Sequence, residues 1–132
     1  MTRYSQGELS SRKLLLVEDD KDTCEALAEL LRRPGREIIT AYTVADGLRL
    51  ARAGEFDLII LDNWFGASSG VELCRQIREF DTKAKIIFYS AAAYDNDIEE
   101  GLRAGADGYV IKPDFEQFQQ AVAEMLSYER KA

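Results

Sequence analysis

The stretch Phe56–Asp62, "FDLIILD", holds four consecutive branched aliphatics, Leu58 to Leu61, closed by a carboxylate. A run that is apolar at every position, rather than at every second one, describes a strand buried on both faces. Runs of the same kind recur on either side: "KLLLV" at Lys13–Val17, Glu37 to Tyr42, "AKIIFYS" at Ala84–Ser90, and "DGYVIK" at Asp107–Lys112. Between them the apolar residues change to helical spacing. Cys24, Leu27 and Leu31 mark a first helix that stops at Pro34-Gly35; Val44, Leu48 and Ala51 mark a second, closed by Gly54. Val71, Cys74 and Ile77 mark a third that continues to about Phe80, and Ile98, Leu102 and Gly105 a fourth. Phe115, Phe118, Val122, Met125 and Leu126 place one apolar stripe on a fifth. The segment "DNWFGASSG" reads as a loop.

Five strands alternating with five helices predict an α/β fold: a doubly wound, five-stranded parallel sheet covered on both faces. The polar stretch over residues 1–12 is expected to be a flexible tail, and 13–132 a single domain whose regular structure ends near Leu126.

Charge and composition narrow the function. The net charge of -7 argues against non-specific contact with nucleic acid or an anionic membrane, both of which call for basic patches. No apolar run reaches the length of a membrane span, and the first dozen residues lack the apolar core of a signal peptide, so the expected compartment is the cytoplasm. Cys24 and Cys74 fall on apolar helix sides and read as buried thiols rather than a disulfide or a metal pair. The chain contains no histidine. That removes the commonest zinc ligand and the usual general base, and the chain cannot be its own histidine phosphodonor.

In a sheet of this kind ligands gather beyond the carboxyl ends of the strands. Glu18, Asp19 and Asp20 follow the first strand, Asp62 the third, Ser90 the fourth, and Lys112 with Pro113 the fifth. Each alone has a plain explanation, as a helix cap, a turn or a surface charge, and Asp20 reads best as the cap of the first helix. Their joint placement points further. Hard oxygen ligands without imidazole or thiolate suit magnesium, which binds through one or two carboxylates, waters and substrate phosphate. A carboxylate beside such an ion can attack a phosphoryl group and form an aspartyl phosphate, while a hydroxyl and a lysine bind the phosphoryl oxygens.

These motifs, "KLLLVEDD", "LIILDNWFGASSG", "IIFYSAAA" and "GADGYVIKP", in this order and at this spacing, resemble the receiver domain of two-component response regulators, of the chemotaxis-regulator-like kind. The resemblance implies a flavodoxin-like (βα)5 fold with strand order 2-1-3-4-5. It implies that Asp62 is the phosphoacceptor and that Mg2+ is held by Glu18, Asp19, Asp62 and the backbone carbonyl of Trp64. Ser90 resembles the hydroxyl that turns to the phosphoryl group, Lys112 the lysine that contacts it, and Tyr109 the aromatic switch that moves with Ser90. The Lys112-Pro113 bond is expected to be cis. The implied donor is a sensor histidine kinase or a histidine phosphotransfer protein. The implied output partner docks on the face made by the fourth helix, fifth strand and fifth helix. No enzyme activity, direct nucleic-acid contact or membrane contact is implied.

The sequence also departs from the family pattern. Phe65 and Gly66 stand where Met-Pro is usual, which is expected to loosen the loop. Trp64 is bulky for its place; its ring either packs on the loop or covers the phosphorylation site. Asp114 stands where an apolar residue is common, so the start of the last helix is expected to differ slightly. The altered loop keeps open a phosphorylation-independent interaction module, a pseudo-receiver. An enzyme on a similar fold is disfavoured. A flavodoxin needs a Ser/Thr-rich phosphate loop where this chain has acids, and a haloacid-dehalogenase-type phosphatase needs a second aspartate where Trp64 stands.

Overall fold

The computed structural model describes residues 11–65 and 68–127, with the side chains of Trp64, Phe65 and Ser68 excepted. The strands are β1 (Arg12–Val17), β2 (Arg36–Ala41), β3 (Leu58–Leu61), β4 (Lys85–Ser90) and β5 (Gly108–Ile111). The helices are α1 (Lys21–Leu31), α2 (Val44–Ala53), α3 (Gly70–Arg78), α4 (Asp95–Arg103) and α5 (Phe115–Leu126). The strands form one parallel sheet in the order β2-β1-β3-β4-β5. This is the doubly wound fold expected from the sequence.

The order explains the two cores. Right-handed crossovers that run outward from β1 to β2, then back through β3, β4 and β5, put α1 on one face and α2, α3 and α4 on the other. Side chains alternate along each strand. Leu14, Leu16, Leu58, Ile60, Ile87 and Tyr89 therefore pack with Cys24, Leu27 and Leu31 of α1 and with Phe118, Val122 and Leu126 of α5. Leu15, Val17, Ile59, Leu61, Ile86 and Phe88 pack with Ala51 of α2 and with Val71, Leu73, Cys74 and Ile77 of α3. The cysteines are free and lie in these two different cores, which rules out their pairing with each other. Burial pushes both thiols up to about 11.

Helix starts follow local chemistry. Asp20, Thr43, Ser69 and Asp114 each accept a hydrogen bond from a backbone N–H in the first turn of the helix that follows. Asp20 is thus the cap that the sequence suggests. Asp114 alters the entrance to α5 by capping it, its carboxylate accepting from the Gln117 N–H at 2.9 Å.

Several boundaries need correction. β1 begins at Arg12, one residue inside the expected tail, because the Arg12 N–H reaches the Gly35 carbonyl at 2.7 Å and Arg12 lies opposite Arg36 in the ladder. Of the remainder of the expected tail, Ser11 is exposed and outside any strand, and 1–10 fall outside the described residues. The "DNWFGASSG" segment is not wholly loop: Trp64–Phe65 pairs antiparallel with Ser68–Ser69. Leu102 and Phe115, read as core-facing, are 45% and 51% exposed. The inward position of α4 is Gly101 instead, where a Cβ would stand 3.1 Å from ring atoms of Phe88 and Tyr109. Two aromatic rings fill the space that the helical pattern assigned to leucine.

Tyr89 stacks on Phe118 with ring centroids 4.1 Å apart, and its buried hydroxyl has no hydrogen-bond partner among the described residues. A buried hydroxyl without a partner carries its desolvation cost uncompensated. Tyr89→Phe is therefore expected to match the wild type or to gain up to about 1 kcal/mol in urea unfolding. A clear loss would show that the hydroxyl is bonded.

Candidate functional site

The parallel ladder continues one step past the strands and carries the polar residues with it. The Glu18 N–H donates to the Ala41 carbonyl at 3.0 Å, the Asp62 N–H to the Val17 carbonyl at 3.1 Å, and the Lys112 N–H to the Ser90 carbonyl at 3.0 Å. Glu18, Asp62 and Lys112 are thus fixed by backbone bonds beyond β1, β3 and β5, on the same edge of the sheet. Carboxylate oxygens of Glu18, Asp19 and Asp62 lie within 4.8 Å of one another. Glu18 and Asp62 are buried and Asp19 is exposed.

Buried like charges this close repel and resist desolvation. Lys112 relieves both effects. Its Nζ donates to Glu18 Oε1 at 2.7 Å and stands 3.7 Å from Asp62 Oδ2. The other Glu18 oxygen accepts from the Asp20 N–H at 3.2 Å. Even so, burial holds the Glu18 carboxyl above the usual carboxylate range, helped by the Asp62 charge and opposed by Lys112. The set has oxygen donors only, with no imidazole and no thiolate among the three acids. It fits a hard divalent cation such as magnesium, whose charge would take over part of the work of the ammonium.

Ser90 is fully buried at the end of β4, where its Oγ accepts from the Ala92 N–H at 3.1 Å and from the Asn63 N–H at 3.4 Å. Tyr109 in β5 stacks on Phe88 with centroids 5.2 Å apart, and its hydroxyl donates to the Ala92 carbonyl at 2.6 Å. Burial raises the Tyr109 phenol, partly offset by its hydrogen bond with Asn63. The Lys112-Pro113 peptide is cis, as expected. The Trp64 backbone follows Asp62 and Asn63 directly into the short ladder with Ser69. The two readings of the Trp64 ring fall on a side chain outside the described residues, as does Gly66.

Asn63 is the site residue that the sequence reading passed over. It is 6% exposed, its N–H donates to Asp62 Oδ1 at 2.7 Å, and its side-chain amide donates to the Tyr109 hydroxyl at 3.3 Å. Reading "DNWFGASSG" as loop hid it. The available signal was an amide placed between the Asp62 carboxylate and a pair of aromatics, where a solvated loop would need no such order.

Comparison with known proteins agrees with this geometry. A family model described as the response regulator receiver domain matches residues 14–123. The chain belongs to the response regulator receiver domain family. This is a family of signalling domains rather than of classical enzymes. Among curated relatives, the transcriptional regulatory protein AfsQ1 of Streptomyces coelicolor is 44% identical over 100 residues, covering 76% of this chain and 44% of that protein. The transcriptional regulatory protein DltR of Streptococcus agalactiae is 37% identical over 101 residues, covering 76% of this chain and 45% of that protein. The match thus spans less than half the length of these relatives. Among solved structures, a two-component response regulator from Clostridium difficile superposes with a TM-score of 0.82 at 30% identity, covering 89% of this chain and 97% of that one. The response regulator TrrA of Thermotoga maritima, solved in complex with Mg(2+)-BeF, gives a TM-score of 0.77 at 32% identity over 86% of this chain and 98% of that one.

Gly70 sets how closely α3 approaches the acid. Its N–H donates to the Asn63 carbonyl at 2.9 Å, and a Cβ added there would fall 2.0 Å from the Asp62 carbonyl oxygen. Backbone must shift to admit it. Gly70→Ala is expected to cost about 1–3 kcal/mol in urea unfolding. An unchanged midpoint would show that this contact gives way freely.

Proposed function

We propose that the domain accepts a phosphoryl group on Asp62 from a sensor histidine kinase or a histidine phosphotransfer protein. Mg2+ would be held by Glu18, Asp19, Asp62 and the backbone carbonyl of Trp64. The observation that carries this reading is the meeting of three carboxylates within 4.8 Å beneath the Lys112 ammonium. An ionised Asp62 is itself the nucleophile, so no general base is required. A carboxylate oxygen bonds to phosphorus while the bond from phosphorus to the donor nitrogen breaks, and the nitrogen keeps the electron pair. None of the residues given is a histidine, so the donor nitrogen is not among them.

Lys112 offsets the arriving negative charge, and the Ser90 hydroxyl turns to bind a phosphoryl oxygen. When bound, the metal supplies positive charge against the charge on the transferring group. Of the residues that would hold it, Glu18 and Asp62 are buried, which limits screening by water on that side. The presence of every one of these groups supports a phosphoacceptor over a phosphorylation-independent module.

On this reading Ser90 and Tyr109 move together and alter the face made by α4, β5 and α5. Large apolar side chains already lie exposed there: Tyr94 at the entrance to α4, Leu102, Ile111 and Phe115. Such a patch fits an output protein or domain. AfsQ1 and DltR are transcriptional regulatory proteins, which suggests a similar output for this domain, with any DNA contact made by another module. On the same reading the domain works in the cytoplasm, where its phosphodonor would act. No helix among the described residues is long and apolar enough to cross a membrane.

The test is intact-mass measurement after incubation with a phosphorylated histidine phosphotransfer protein and Mg2+. The wild type is expected to gain one phosphoryl group, and Asp62→Asn or a chelator should abolish the gain. A wild type that gains none, or an Asp62→Asn variant that still gains one, contradicts the reading.

A further inference from the structure

Two hydrogen-bonded routes run from Asp62 to Tyr109, and both begin at the Asn63 N–H, which donates to Asp62 Oδ1 and to Ser90 Oγ. One continues through Ser90: its Oγ also accepts from the Ala92 N–H, and the Ala92 carbonyl accepts from the Tyr109 hydroxyl. The other passes through Asn63 alone. Its N–H donates to Asp62 Oδ1 at 2.7 Å, and its side-chain amide donates to Tyr109 Oη at 3.3 Å. The second route has one residue between the acid and the phenol.

Asn63 has little freedom to serve any other purpose. It is buried, the Gly70 N–H holds its carbonyl at 2.9 Å, and its N–H is shared between Asp62 Oδ1 and Ser90 Oγ. Any change of charge at Asp62 or of rotamer at Ser90 therefore reaches the Asn63 peptide directly. The ring it touches is held by stacking on Phe88 and against Gly101 of α4, so the same contact bears on the apolar face.

We propose that Asn63 is a positioning residue that couples the chemical state of Asp62 to the Tyr109 ring, in parallel with Ser90. This rests on Asp62 being the phosphoacceptor. With Asp62 unmodified, the carboxylate anchors the Asn63 peptide and the amide holds the tyrosine at Ala92. Esterification of Asp62 moves negative charge from its carboxylate to the phosphoryl oxygens, and the Ser90 hydroxyl turns toward them. Both events withdraw acceptors from the Asn63 N–H and loosen its hold on Tyr109. The Asn63–Tyr109 bond is then a restraint on the unmodified state, and its strength sets part of the cost of switching.

The sign of the effect follows. Removing the restraint lowers the cost of the modified state, so a phosphoryl mimic binds more tightly. A net hydrogen bond of ordinary strength corresponds to about a three- to tenfold change in affinity. Near-isosteric Asn63→Leu removes the amide, and Tyr109→Phe removes the hydroxyl while keeping the ring.

The experiment is a double-mutant cycle read as the affinity for beryllofluoride with Mg2+, followed by ¹⁹F NMR of fluorotyrosine-labelled protein. Asn63→Leu is expected to tighten beryllofluoride binding about three- to tenfold when Tyr109 is present and to have no effect in the Tyr109→Phe background. In the unloaded protein, Asn63→Leu should shift the Tyr109 resonance toward its loaded position. An equal shift in affinity in both backgrounds, weaker binding, or an unmoved Tyr109 resonance overturns the coupling role, because a local packing effect beside Asp62 does not depend on the phenol. Failure of the wild type itself to bind beryllofluoride is a separate result. It removes the phosphoacceptor reading and the coupling with it.

Discussion

The structure turns on the ion pairs between the Lys112 ammonium and the carboxylates of Glu18 and Asp62. Parallel pairing of β1 with β3 leaves no choice about where those acids stand. With Val17 opposite Leu61, the next residue on each strand is an acid at the same level of the sheet. Both acids are buried, and removing one partner from a buried ion pair costs about 3–5 kcal/mol. Lys112 arrives from β5, two strands away from β3 across β4, so the tethering of β5 to the sheet and the neutralisation of the acids are one problem. The ladder bond from the Lys112 N–H to the Ser90 carbonyl settles the position of its backbone.

The same edge explains why the site reaches the surface. Asp62, Asn63, Ser90 and Tyr109 are linked by hydrogen bonds through the Ala92 peptide, and the Tyr109 ring presses on Phe88 and Gly101. A helix that buries a glycine against two rings has no interlocking aliphatic side chain at that point. α4 is therefore seated on surfaces that a change at Tyr109 would alter, next to the exposed Tyr94, Leu102, Ile111 and Phe115.

Much of this was legible in the sequence because a parallel sheet has a simple signature. The uninterrupted apolar runs at Leu14–Val17 and Leu58–Leu61 left no reading but strands buried on both faces, and Glu18, Asp19, Asp62, Ser90 and Lys112 stood at strand ends. Three features were hidden for physical reasons. Helical periodicity at Ile98, Leu102 and Gly105 suggested an aliphatic stripe, but aromatic rings of β4 and β5 occupy that space and Leu102 turns outward. Phe115 fitted the stripe of α5 by spacing, yet it lies in the first turn and stays half exposed, touching the core only where its ring tilts against Tyr89. Asn63 carried no periodic signal, since its side chain bonds to Tyr109, a residue 46 positions away that only the fold brings near.

Lys112 offsets the charge of a carboxylate pair whose oxygen donors fit a hard cation. The direct measurement is the melting temperature of the wild type and Lys112→Met, each with and without Mg2+. Mg2+ is expected to raise the wild-type value. Lys112→Met is expected to melt well below the wild type without the metal, and Mg2+ to raise the variant by more than the wild type. A variant that melts with the wild type in metal-free buffer, or two proteins indifferent to Mg2+, would contradict it.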